Sequence, residues 1–215
     1  LIGKRDEKNF LRAGWVSAKY LRFDFQDHFV MPRKIRSTIL TKGEVKKEFS
    51  HTTYMIASTD SESVSQGSAV AISTAVLLTN CHVIQNNNRN IYILEKGKSY
   101  KAFLIKSKYH VDQCFIRSLE LPLSHVNGIK YFKEIKVSER SFAIGAPRSR
   151  NRTVTEGVVT GKDVIYSAKI IQTSSYIDHG SSGGGLFDRS GNLMGITTGK
   201  YRDELYAISA SEFWK

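Results

Sequence analysis

Cysteine and proline are scarce in this chain, with two of the first and three of the second among 215 residues. Two cysteines cannot make the multi-bridge framework that replaces a core in small secreted domains, and at this length the chain buries a sizeable core without one. No apolar run approaches the roughly 20 residues of a membrane-spanning helix, so no membrane span is expected. The opening residues Leu1-Ile2-Gly3-Lys4-Arg5-Asp6-Glu7-Lys8 lack an apolar signal core and do not begin with methionine. The expectation is a chain processed or excised from something longer. CxxC and HxxxH spacings are missing too. Cys81-His82 and His110-x-x-x-Cys114 superficially resemble a Cys/His metal set, but adjacent residues of an extended segment point to opposite faces, so neither metal nor cofactor is expected. No basic run interleaves with aromatics as single-strand binders require, which argues against nucleic acid as a partner.

Positive charge is what the chain has in excess: 32 Lys plus Arg against 20 Asp plus Glu, a net charge of +12. Residues 1–50 hold 12 of the basic and 6 of the acidic residues, so half the excess lies there. A solvated basic surface is the plain reading, with an acidic partner as the alternative the summed field favours.

The apolar pattern is that of an all-β protein. Short β-rich segments at 54–57, 68–72, 76–78, 91–94, 100–105 and 115–119 are broken by polar turns, and no helical period runs between them. A second series comes at 134–137, 141–144, 153–160, 164–166, 168–173, 185–187, 193–197 and 206–208, with 121–132 as the crossing. Upstream, the alternation of Tyr20 to Phe25 reads as a strand. Thr41-Lys42-Gly43-Glu44 is a capping box, and Val45 and Phe49 at i, i+4 predict a short amphipathic helix ending near His51. Residues 209–214 have room for one helical turn. Arg148, Arg150 and Arg152 share a loop, where solvation is their expected state.

One stretch carries chemistry. In Asp178-His179-Gly180-Ser181-Ser182-Gly183-Gly184-Gly185, glycines flank a serine closely enough for backbone N–H groups to converge beside its hydroxyl, which is the construction of an oxyanion hole. A serine hydroxyl is a poor nucleophile by itself, so an imidazole base and an orienting carboxylate must be supplied elsewhere. The base is best sought at His82, just beyond the buried run Ala75-Val76-Leu77-Leu78. The carboxylate is best sought at Asp112, the only acid in its stretch and the opening of a β-branched and aromatic run. His28, His51, His110, His125 and His179 lack the approach that His82 has and read as structural or surface residues.

These motifs have company. Leu78-Thr79-Asn80-Cys81-His82-Val83, Asp112 opening its strand, Ala143-Ile144-Gly145-Ala146-Pro147, Ile171-Gln172-Thr173 and Gly191-Asn192-Leu193-Met194-Gly195-Ile196-Thr197-Thr198 succeed one another in a familiar order. The chain resembles the trypsin-like (chymotrypsin-fold) serine proteases, most of all the HtrA-type branch and its glutamyl endopeptidase relatives. The resemblance implies two six-stranded antiparallel β-barrels with an N-terminal extension and a short terminal helix. Residues 1–45 would be an extension packing on the core, 46–128 the first barrel with His82 and Asp112, and 129–215 the second with Ser182. The implied activity is metal-independent peptide hydrolysis by a His82-Asp112-Ser182 triad, with the oxyanion held by the N–H groups of Gly180 and Ser182. It also implies a protein or peptide substrate and a secreted or periplasmic location. The competing reading is a catalytically silent double-barrel module that binds an acidic partner or nucleic acid.

The same resemblance implies finer expectations. Thr198 falls beside the catalytic carboxylate and can donate to it, while Ile177, Thr198, Gly199 and Lys200 fall where substrate is received. Cleavage after Lys or Arg needs a carboxylate six residues before the nucleophile, where this chain has Tyr176. The glutamyl enzymes use a histidine where this chain has Thr197, which leaves small or medium aliphatic residues as the favoured choice. Ser181 stands where trypsin has the aspartate that receives a new N-terminus. The His and Asp segments would touch, which leaves a Cys81–Cys114 bridge open, although two free buried thiols are the expected state.

Overall fold

A computed structural model describes residues 2–5, 11–14, 37–59, 63–84, 90–146, 152–176, 180–201 and 204–214. The chain divides into two compact units, Leu1–Met31 and Pro32–Lys215. Within the first, β1 (Ile2–Arg5) and β2 (Leu11–Gly14) pair antiparallel. The strand expected over 20–25 lies outside the described residues.

The second unit opens with helix α1 (Lys42–Phe49). Both halves of its capping box are made: the Glu44 N–H donates to Thr41 Oγ1, and the Thr41 N–H donates to the Glu44 carboxylate at 2.8 Å. Val45 and Phe49 turn the apolar stripe inward, and the Phe49 ring stacks on Phe187 with centroids 5.7 Å apart.

The first closed barrel contains β3 (Thr53–Thr59), β4 (Val64–Ala71), β5 (Val76–Thr79), β6 (Ile91–Glu95), β7 (Lys98–Lys108) and β8 (Gln113–Ser118). Its strand order is β3-β4-β5-β8-β7-β6, antiparallel throughout. In β6 the inward Ile91 and Ile93 alternate with partly exposed Tyr92 and Leu94, and the interior is filled by Ile56, Leu77, Ile93 and Ile116. β5 is buried along its whole length, which is why it reads as a continuous apolar run.

The second closed barrel contains β9 (Arg140–Gly145), β10 (Thr153–Ile165), β11 (Ala168–Thr173), β12 (Gly185–Asp188), β13 (Leu193–Tyr201) and β14 (Glu204–Ser209), in the order β10-β11-β14-β13-β12-β9. Val159, Ile171, Leu186, Met194 and Ala207 fill it. A 3-10 turn, Ala210–Trp214, ends the described chain and sets Phe213 edge-on against Phe115. Two six-stranded antiparallel barrels with few helices are thus the architecture.

The sequence reading departs from the structure at three places here. Residues 134–137 form no strand: Glu134 accepts the Tyr131 N–H at 2.9 Å, and this cap closes the 3-10 turn Phe132–Glu134 instead. The strands expected at 153–160 and 164–166 are one strand, β10, which bends at a register shift between Val159 and Gly161 without ending. Arg152 is not simply solvated, because its guanidinium is bonded to the Thr53 carbonyl and to the Glu95 carboxylate.

Candidate active site

His82 owes its position to the contrast between β5 and the helical turn after it. The buried strand delivers the chain to the single turn α2 (Cys81–Ile84), in which Cys81, Val83 and Ile84 are buried and His82 alone faces out. Asp112 arrives by a different route. It closes the 3-10 turn Tyr109–Val111 in the left-handed region, φ 53° and ψ 41°, a conformation that costs a non-glycine residue of order 1 kcal/mol and persists only when neighbours hold it. The neighbours do hold it. The Asn80 side-chain amide and the Cys81 N–H donate to its carbonyl at 3.2 and 3.4 Å, and the His82 N–H donates to its Oδ1 at 2.9 Å. Its Oδ2 lies 2.8 Å from His82 Nδ1 and accepts the Thr198 hydroxyl at 2.9 Å.

Ser182 sits in the turn between β11 and β12, in the second barrel. Gly183 has φ 86°, and a Cβ there would lie 1.9 Å from the Ser68 carbonyl oxygen, so no side chain fits. The Gly183 N–H donates to the Thr197 carbonyl (2.7 Å) and the Gly184 N–H to the Ser181 carbonyl (2.8 Å). Ser68 joins this turn to the first barrel: its N–H donates to the Ser182 carbonyl at 2.7 Å, and its hydroxyl donates to the Gly180 carbonyl at 2.8 Å and accepts the Ala146 N–H at 2.9 Å. The Ser182 hydroxyl donates to the Thr198 carbonyl at 3.0 Å. To bond to His82 Nε2, the ring nitrogen not facing Asp112, the Ser182 hydroxyl would have to leave that carbonyl.

The two cysteines are not free thiols, contrary to expectation. Cys81 and Cys114 are joined in a disulfide with their Cα atoms 5.0 Å apart. Sequence spacing gave no sign of it, because the pairing depends on β5 and β8 lying side by side, with Thr79 opposite Cys114.

Among the residues expected to receive substrate, Gly199 opposes Tyr206 across the β13–β14 ladder, and a Cβ on it would meet nothing within 4 Å. Ile177 lies outside the described residues, as does the side chain of Lys200. Tyr176 is 62% exposed and its carbonyl accepts the Thr155 hydroxyl at 2.7 Å. Thr197 is buried and spends its hydroxyl on the Ser181 carbonyl at 2.7 Å. His51 and His110 are exposed and His125 is partly so; His28 and His179 lie outside the described residues. Sequence reasoning missed what Ser68 and Asn80 do. Each lies within a segment that was read, but their partners, Gly180 and Asp112, are 112 and 32 residues away and leave no local signal.

Comparison with known proteins agrees with this arrangement. The trypsin-like peptidase domain family matches residues 67–196. A probable periplasmic serine protease do/HhoA-like of Haemophilus influenzae is 34% identical over 142 residues, which cover 61% of this chain and 30% of that protein. The serine endoprotease DegS of Escherichia coli is 29% identical over 130 residues, 57% of this chain and 36% of DegS. The chain thus spans about a third of the length of these relatives. Among solved structures, the HtrA-type protease AlgW with tripeptide superposes with a TM-score of 0.73 at 26% identity, covering 81% of this chain and 61% of that one. The active form of the Rv3671c protease from M. tuberculosis shares the fold with a TM-score of 0.73 at 21% identity, covering 86% and 87%. On the matched residues, the motif order and the double barrel together, this chain belongs to the trypsin-like peptidase domain family.

Proposed function

We propose that the chain is a metal-independent serine endopeptidase working through His82, Asp112 and Ser182. The observation that carries the reading is the double grip of His82 on one carboxylate, Nδ1 to Oδ2 at 2.8 Å and backbone N–H to Oδ1 at 2.9 Å. That grip fixes the tautomer with the proton on Nδ1 and leaves Nε2 basic. Ser182 Oγ adds to the peptide carbonyl while Nε2 takes its proton, and the same proton then passes to the leaving amine. Asp112 stabilises the imidazolium and stays ionised. The N–H groups of Gly180 and Ser182 receive the oxyanion, each worth roughly 3–4 kcal/mol in comparable sites. Water repeats the sequence on the acyl-enzyme.

Substrate is received by Ile177, Thr198, Gly199 and Lys200. Small or medium aliphatic residues are the favoured side chains before the cut bond. The buried Thr197 hydroxyl supports this, since it is committed to the Ser181 carbonyl where acid-selecting relatives need a histidine. The +12 charge makes an acidic protein partner the natural secondary contact. A location outside the cytoplasm agrees with a disulfide and with the relatives' periplasmic names.

A fluorophosphonate probe tests the reading directly. Covalent labelling mapped to Ser182, absent in Ser182→Ala, is the expected result. A folded chain that hydrolyses no peptide and takes no label would instead be the silent binding module.

A further inference from the structure

The Cys81–Cys114 disulfide lies closer to the chemistry than a bridge for stability alone requires. Cys81 immediately precedes His82, and Cys114 is two residues after Asp112; the bond thus spans the two segments that meet as base and acid. Both cysteines are buried, 1% and 0% exposed, within the core of the first barrel. The barrel itself does not depend on the bond here, because β5 and β8 are already laddered from Val76↔Arg117 to Thr79↔Cys114. Beyond that ladder β5 gives way to the one-turn helix at Cys81, while β8, still paired with β7 at Cys114 and Gln113, begins one residue after the strained Asp112. This is where the cross-link acts.

We propose that the disulfide is a positioning element for the His82–Asp112 pair, and that its two-electron reduction lowers turnover while the chain stays folded. The inference rests on the peptidase reading above. Non-bonded heavy atoms rest roughly 3.5–4.0 Å apart, whereas bonded sulfurs sit about 2.0 Å apart. Two thiols in place of the cystine must therefore separate, and the buried surroundings pass that movement to the adjacent residues. Those residues are His82 and, through the 3.4 Å contact of the Cys81 N–H with its carbonyl, Asp112. A displacement of about 1 Å in a catalytic group can cost 100-fold.

The reductant is a dithiol. One of its thiolates attacks a cystine sulfur and displaces the other as a thiolate, giving a mixed disulfide. Its second thiol then closes on the first, releasing the reagent as a cyclic disulfide. Two electrons pass to the cystine, and the two protons of the reagent end on Cys81 and Cys114.

The test compares the full chain oxidised, reduced with dithiothreitol under native conditions, and reoxidised, with thiols counted by mass after alkylation. Kinetics on a peptide substrate are paired with far-UV circular dichroism. A second readout does not need activity: in the Ser182→Ala chain, the far-downfield NMR resonance of the proton shared by His82 Nδ1 and Asp112 Oδ2 is tracked in both redox states. Reduction is expected to leave the dichroism intact, lower kcat by roughly 10- to 100-fold with little change in KM, and shift or abolish the resonance. Reoxidation restores all of these, and Cys81→Ser/Cys114→Ser behaves as the reduced chain if it folds. Unchanged kcat and an unchanged resonance in a fully reduced, folded chain overturn the proposal, as does cystine cleavage that occurs only with unfolding. An oxidised chain that takes no fluorophosphonate label fails the peptidase reading instead, and the resonance still decides the positioning role.

Discussion

Thr198 reaches Asp112 from the opposite barrel, its hydroxyl donating to Oδ2 at 2.9 Å while its own carbonyl takes the Ser182 hydroxyl at 3.0 Å. One residue of β13 thus touches both the acid and the nucleophile. A hydrogen bond to a charged group contributes about 1.5–3 kcal/mol. Thr198→Val should lower kcat by roughly 10- to 100-fold with KM little changed, and Thr198→Ser should recover most of it. Equal activity in all three chains would show that the Asp112 carboxylate needs no donor beyond His82.

Of the two adjacent serines, Ser182 is the proposed nucleophile. Ser182→Ala should reduce kcat/KM by several orders of magnitude. Ser181 is buried and its carbonyl is already bonded to Thr197, so Ser181→Ala should retain most activity. Initial rates on one peptide distinguish the two, and the reverse ranking would reassign the nucleophile.

Gly183 tolerates no side chain. Strain in the left-handed region costs roughly 1–3 kcal/mol before the contact with the Ser68 carbonyl is counted. Gly183→Ala should lower the melting temperature and abolish turnover, while Gly199→Ala, where nothing lies within 4 Å of the new Cβ, should melt as the parent does.

Lys130 gives a pH dependence. Burial opposes its charge, but the Glu139 hydrogen bond at 2.5 Å and the Asp188 carboxylate at 3.4 Å more than offset this and raise its pKa above the ordinary 10.5. A raised pKa means that the stabilisation is complete below the unfolded value and is lost as pH rises through the folded one. Stability to urea should therefore fall above about pH 10.5, the ordinary lysine value. Lys130→Met should flatten that alkaline limb; an identical limb in the variant would remove Lys130 as its source.

Ser181 stands, by the resemblance, where trypsin has an aspartate, so the position before Ser182 offers a new N-terminus no carboxylate. Chains beginning at several points between Leu1 and Lys42 should hydrolyse the same peptide alike. Activity confined to one N-terminus would contradict this.

Local features were the legible part of the sequence. The capping box at Thr41 and Glu44, the buried run of β5 before His82 and the glycines around Ser182 each state their conformation within ten residues. Thr198 was found because it sits at a fixed offset in a motif. The Ser68 hydroxyl and the Asn80 amide were not legible, and the disulfide was open only through the resemblance, because each depends on a partner brought near only by barrel closure. The strand misread at 134–137 failed for a different reason: a β-rich triplet with Ile135 and Val137 was overridden by one carboxylate cap.

The seam between the barrels has a thermal consequence. Each barrel closes on its own ladder, so warming must break many backbone bonds at once to open either one. The joints at the seam are fewer: beside the site they are Ser68 to Ser182 and Gly180, Ala146 to Ser68, and Thr198 to Asp112, and away from it Arg152 to Thr53 and Glu95, Lys108 to the Glu212 carbonyl, and Phe213 against Phe115. His82 and Asp112 ride on one side and the Ser182 hydroxyl on the other, so a small rocking at this seam would separate them without the loss of a strand. If the proposed triad is the working site, hydrolysis should stop at a lower temperature than the fold does, and substitutions that strengthen one barrel's interior should raise the melting point without extending the working range.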